Sequence, residues 1–184
     1  MNKKIMLIFS LTVLAILMSG CVDDSTDTPD ATSGNEVLTA ANLIVVQNIP
    51  AGFEYLGSPP RSIDDIKREY VDVAGIVAAA EGIYQDAYSD EMHITVVEFD
   101  DSDAAENFVN QYKLSIPQLA KGERFVEESF NGHFATRIVD YTTTGGEQVA
   151  RYSYLWSNGN FVFIVDGNTE DFTQTRALAE ATGQ

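Results

Sequence analysis

Three kinds of side chain are scarce in this sequence. Among 184 residues there are one cysteine, two histidines and 11 basic residues, against 28 acidic ones. A single cysteine excludes an intramolecular disulfide framework and a cysteine-based zinc site. Two histidines, His93 and His133, stand far apart. That is poor material for zinc, which needs at least three good ligands, and for a serine triad, which needs a histidine base. The net charge of -17 argues against nucleic acid as a partner, because phosphate contacts need clustered Lys and Arg. It argues equally against docking to anionic lipid through a basic patch. There is no Walker loop, no dinucleotide glycine pattern and no GxSxG elbow, and no cofactor is expected. What the chain does have is 45% hydrophobic residues, enough for one core, at a length that fits one domain plus a tail.

The N-terminal residues carry the most specific pattern. Lys3 and Lys4 precede an apolar run from Ile5 to Met18, broken only by Ser10 and Thr12, and the small pair Ser19-Gly20 leads into Cys21. A charged start, an apolar middle and a small-residue cleavage site make a secretory signal. The segment Leu17-Met18-Ser19-Gly20-Cys21 resembles the lipobox of a lipoprotein signal sequence, with Met18 where leucine is usual. The resemblance implies a signal peptide over residues 1–20, cleavage before Cys21 and a thioether-linked diacylglycerol on Cys21. It also implies an exported protein, anchored through that lipid to the outer face of the cytoplasmic membrane. The residues alone leave two other readings open: a plain secretory signal with a coincidental cysteine, and an uncleaved membrane helix. The 16 residues from Ile5 to Gly20 are short for a bilayer span, which needs about 20. Cleavage would remove Lys3 and Lys4 and no acid, leaving nine basic and 28 acidic side chains, a balance of -19.

Residues 21–36 read as the lipidated cysteine followed by a tether. Val22 to Glu36 contains four aspartates, one proline, one glycine and almost nothing apolar, so it cannot bury enough surface to offset its ordering entropy. Fifteen flexible residues have a root-mean-square reach of roughly 20 Å. The folded domain is expected over residues 37–184.

Within it the patterns give a definite order of elements. A short helix lies in Leu38 to Val46, and a short strand spans Phe53 to Leu56. A helix starts at Ser62, with Asp64 and Asp65 in its first turn. Strands follow at Val71 to Ala87 and Met92 to Phe99. The longest helix is expected over Asp101 to Leu119. Ala105, Phe108, Val109, Tyr112 and Ile116 share its apolar face, and Pro117 bends or ends it. Then come four strands: Arg124 to Ser129, Phe134 to Tyr141, Gln148 to Trp156 and Asn160 to Asp166. Asn131-Gly132 and Asn158-Gly159 are hairpin turns, and Thr142 to Gly146 is a loop. Asn160 to Asp166 is apolar on both faces, which suits a central or doubly covered strand. A last helix, capped by Asn168 or Thr169, reaches about Thr182. The fold class is therefore α+β: a single antiparallel sheet of about six to seven strands, with helices packed mainly on one face.

This element order loosely resembles the small sandwich domains of exported lipoproteins and of the PsbP/Mog1 type. Two segments, VVEFDDSDAAENFVNQYK (Val96 to Lys113) and RYSYLWSNGNFVFIV (Arg151 to Val165), resemble a pattern of prokaryotic surface lipoproteins, those of archaeal methanogens in particular. That resemblance implies an extracytoplasmic domain and carries over no catalytic residue.

Candidate sites are few. Asp100, Asp101 and Asp103 form the densest acidic run of the domain. They lack the alternate spacing and turn glycine of a calcium loop, so a helix cap is the plainer reading, with weak cation binding as the alternative. Tyr152, Tyr154 and Trp156 line one strand face, with Tyr141 on the neighbouring strand. If that face is open it is a binding platform; if a helix covers it, it is core. The absence of catalytic motifs favours a non-catalytic module binding a protein or small-molecule partner. An envelope hydrolase and a purely structural envelope component are the alternatives.

Overall fold

The computed structural model describes residues 38–184. The signal sequence, Cys21 and the tether lie outside the described residues.

Four helices, α1 (Ala40–Leu43), α2 (Ile63–Glu69), α3 (Ser102–Ser115) and α4 (Phe172–Ala181), accompany seven strands. The strands are β1 (Glu54–Gly57), β2 (Ile76–Gln85), β3 (Glu91–Phe99), β4 (Phe125–Phe130), β5 (His133–Thr144), β6 (Glu147–Asn158) and β7 (Phe161–Gly167). They form one sheet in the order β1-β2-β3-β7-β6-β5-β4, and every neighbouring pair is antiparallel. The α+β class and the order of elements are those expected from the sequence. The hairpin turns set that pairing. Asn131 and Gly132 both take positive φ, the geometry a two-residue turn needs to match strand twist.

Four local expectations change. Pairing of β5 with β6 runs on to Thr144↔Glu147, so the expected loop over 142–146 shrinks to Gly145-Gly146. The three β-branched threonines suit the longer strand. Helix α3 stops at Ser115, not Leu119. Ile116, just before Pro117, is extended at φ -86 and ψ 120, because the proline ring clashes with a helical predecessor. Helix α4 is capped by Asp171, whose side chain accepts from the Thr173 amide at 2.9 Å. Asn168 is engaged elsewhere, with Arg151.

The fourth change concerns the helices, which divide between the two faces. Leu43 of α1 and Leu178 of α4 share one core with Ile94, Trp156 and Phe163. Ile66 of α2 and Phe108 of α3 share the other with Val97, Leu155 and Ile164. The cover expected mainly on one face is thus spread over both. The reason is visible in β7, whose alternate residues Phe163 and Ile164 both need burial.

Gly82 on β2 lies close under Ile44, the residue that ends α1. A Cβ there would stand 2.8 Å from the Ile44 carbonyl oxygen. That same carbonyl accepts from the buried Tyr84 hydroxyl at 2.7 Å, and the hydroxyl in turn accepts from the Val46 amide at 2.9 Å. Gly82→Ala is expected to push residues 44–46 off the sheet and cost about 1–3 kcal/mol, read as a lower urea midpoint at unchanged slope.

Candidate functional site

A group of polar side chains gathers at one end of the α2/α3 face of the sheet, beside Glu69 and Tyr70 at the end of α2 and Tyr112 of α3. Strand β7 is apolar as far as Val165 and then presents Asp166 on the α2/α3 face. The register sets Asp166 opposite His93 of β3 and opposite Ser153 of β6. Glu81 of β2 pairs with Thr95, one step along the same face from His93. It therefore reaches the imidazole, as diagonal neighbours on a sheet face do.

His93 stands between two carboxylates. Its Nδ1 lies 2.9 Å from Glu81 Oε1 and its Nε2 lies 3.0 Å from Glu91 Oε1. Carboxylates only accept, so with both contacts made the ring carries both protons. Burial works against that charge, but Asp166, Glu81 and Glu91 together outweigh it and hold the imidazole above its ordinary range. Arg61 bridges the cluster to α2, pairing with Glu69 and approaching Glu81 at 3.8 Å.

Asp166 lines a cleft of about 300 Å³ together with Glu69, Tyr70, Tyr112, Asp140, Arg151, Tyr152 and Ser153. Tyr70 follows α2, its amide held by the Ile66 carbonyl at 3.0 Å. Its ring meets Tyr112 of α3 edge-on at 5.2 Å. Burial pushes the Asp166 carboxyl up to about 6; Glu69 and Glu81 add to the shift, while His93 and Arg61 oppose it. Burial, with the nearby Asp166 charge, also pushes the Tyr112 phenol up to about 12 and raises that of Tyr70. Both tyrosines therefore stay neutral donors. Arg151 stands at the rim, where its Nε donates to Asn168 Oδ1 at 3.0 Å and its Nη1 to the Ala150 carbonyl at 2.9 Å. Two neighbouring depressions open onto the same Arg151, one beside His93 and Glu91, the other beside Phe172 and Asp171. A larger hollow of about 520 Å³, between α1 and the last residues, has no titratable side chain in its lining. It offers shape without chemistry.

The four aromatic residues singled out from the sequence do not form one platform. Tyr154 and Trp156 are 0% and 1% exposed and belong to the core beneath α4, which is the core alternative. Tyr152 is half-buried, edge-on to Phe172 at 5.7 Å, and Tyr141 is exposed. Of the acidic run, Asp101 is the cap of α3, accepting from the Ala104 amide at 2.8 Å, and Asp103 sits in the first turn. Among the described residues no group of three His, Asp or Glu is arranged to hold a metal.

Sequence reasoning missed Asp166, His93, Glu81, Tyr70, Tyr112 and Arg151. One signal was available. Asp166 ends a strand that is apolar on both faces, and an acid at a covered position is worth singling out. The rest depends on strands and helices distant in sequence.

Compared with protein-family models, curated proteins and solved structures, the chain shows no match.

Proposed function

We propose that this chain is a membrane-anchored extracytoplasmic lipoprotein whose domain binds a small polar ligand in the cleft at the end of β7. The anchor rests on the lipobox-like residues ending at Cys21. The binding reading rests on one observation. A partly buried carboxylate, Asp166, lines a cleft walled by the rings of Tyr70 and Tyr112, and it takes part in no ion pair among the described residues. Such a group costs stability, and a fold keeps it for what it holds.

Serine catalysis fits the site poorly. Ser153 lies opposite Asp166, but His93 gives both ring nitrogens to carboxylates and has none free to act as a base. A second reading, as an envelope hydrolase, rests on the same group: burial raises the Asp166 carboxyl above the ordinary carboxylate range, toward values where a carboxyl can act as a general acid.

The test is native against denaturing mass of the full chain, extracted gently from the membranes of its own host. Extra mass lost on denaturation supports binding. Absence of extra mass, with no ligand-induced shift in a small-molecule screen, sinks it in favour of a structural envelope component. The anchor has its own test. Cys21→Ser is expected to move essentially all of the protein from the membrane fraction to the soluble one, and a variant that stays membrane-bound overturns the lipid anchor.

A further inference from the structure

The charges around the cleft are unevenly paired. Of its three carboxylates, two have cations of their own. Glu69 pairs with Arg61, and Asp140 accepts from Arg124 Nη1 at 2.8 Å. Asp166 has no such partner among the described residues. The closest cationic group in register is His93, which is committed to Glu81 and Glu91. Arg151, the one base in the lining, is tied at the rim to Asn168 and to the Ala150 carbonyl. Asp166 is therefore the one carboxylate of the lining with no cation and no hydrogen-bond donor in direct contact among the described residues.

The walls narrow what can supply them. A hard metal ion would want several oxygens converging on it, and no such group is arranged among the described residues. Two tyrosine rings, those of Tyr70 and Tyr112, offer the electron-rich surface on which an organic cation rests; the Tyr152 ring lies on the opposite face of the sheet, against Phe172. A quaternary ammonium has no N–H and would leave the carboxylate oxygens without donors; a primary ammonium has three. The cleft volume of about 300 Å³ is at the lower end for small-molecule sites, roughly 300–1,000 Å³. The net charge of -17 raises the local concentration of cations and repels anions.

Resting on the binding reading above, we propose that the occupant of the cleft is a small organic molecule with a primary ammonium group, received by Asp166 between the tyrosine walls. The ammonium donates to the Asp166 carboxylate, and the body of the ligand lies against Tyr70 and Tyr112. Arg151 sits two residues along β6 from Ser153, diagonal to Asp166 across the strand pair, a spacing of roughly 7–8 Å. It is placed to meet a polar or anionic tail.

The test uses three probes of nearly one shape and different charge: phenethylamine, 2-phenylethanol and phenylacetate. Each is titrated by calorimetry into the full chain and into its Asp166→Asn variant, whose fold is checked by its unfolding midpoint. The amine is expected to bind at least about tenfold more tightly than the alcohol, the scale of one charge-assisted hydrogen bond. Phenylacetate is expected not to bind, and the preference for the amine is expected to vanish in the Asn variant. An alcohol that binds as well as the amine, or a preference that survives Asp166→Asn, overturns the proposal. Tightest binding of phenylacetate overturns the ammonium assignment while leaving the cleft as a binding site governed by Arg151. A host-derived native adduct with no basic nitrogen does the same. If no probe binds, the ammonium assignment falls; if the native mass also shows no adduct, the binding reading falls with it.

Discussion

Tyr154→Ala is expected to destabilise the domain by about 3–5 kcal/mol, the largest loss among the substitutions considered. The ring is fully buried and meets Phe130 edge-on at 5.9 Å. Its hydroxyl donates to Glu128 Oε2 at 3.2 Å. Glu128 is itself shielded, with a side chain 13% exposed. It also receives Arg137 at 2.7 Å and Arg176 of α4 at 2.8 Å. Alanine would thus open a cavity beneath α4 and remove one donor from a shielded carboxylate. Tyr154→Phe separates the two effects, keeping the ring and losing about 1 kcal/mol for the hydroxyl. Urea unfolding at constant slope measures both. A near-neutral Tyr154→Ala would return this strand face to the surface and revive it as a platform.

Asp166→Asn is expected to do the opposite and stabilise the domain by about 2–3 kcal/mol at pH 8. The sign follows from the direction of the shift. Its carboxyl titrates at about 6 in the folded chain and at about 3.9 when unfolded. Between those values the folded state holds a proton that the unfolded state has released. Wild-type stability attributable to this group therefore falls as pH rises from about 4 through 6 and is level above that. The amide carries no charge, so the gain should be full at pH 8 and gone near pH 4. The groups facing Asp166 are His93 and Glu91 from β3, Glu81 from β2, Arg61, Glu69 and Tyr70 from the α2 region, Tyr112 from α3, Asp140 from β5, and Arg151 and Ser153 from β6. The same profile with His93→Gln in the background tells how much of the pH dependence belongs to the imidazole. A variant less stable than wild type at pH 8, or a gain that does not change with pH, contradicts the site as described. Together with lost amine binding, the gain would make Asp166 a residue kept for a ligand at the expense of stability.

How much of this was legible in the sequence differs between elements. Ser62 and Asp65 of α2 bond each other's backbone amides at 3.1 Å, a local pattern readable over four residues. The hairpins at Asn131-Gly132 and Gly159 are equally local. The β7 segment showed its apolar alternation on both faces, which already implied cover on both sides. Assigning the helices mainly to one face missed that implication. Tyr154 and Trp156 could be read as platform or core, because the answer depends on where α4 returns, and no pattern within β6 encodes that. The candidate site was the least legible part. Glu69, Glu81, His93, Tyr112, Arg151 and Asp166 come from six different elements, and each alone looks like an ordinary strand or helix residue.

The sequence by itself determined the lipobox-like leader as an expectation, the absence of a metal or serine-triad motif, the order of eleven elements and the antiparallel hairpins. All of these depend on neighbours a few residues apart, whose propensities and turn geometry act before any tertiary contact exists. Only the tertiary structure decided which faces the helices cover, that Tyr154 and Trp156 of β6 are core, and that Asp166 stands without an ion-pair partner among the described residues, beside a doubly engaged imidazole. Those outcomes depend on strand register and on α2 and α3 closing over one end of the sheet. Burial and the balance of charge around a carboxylate are properties of the assembled neighbourhood, which no short stretch of residues specifies.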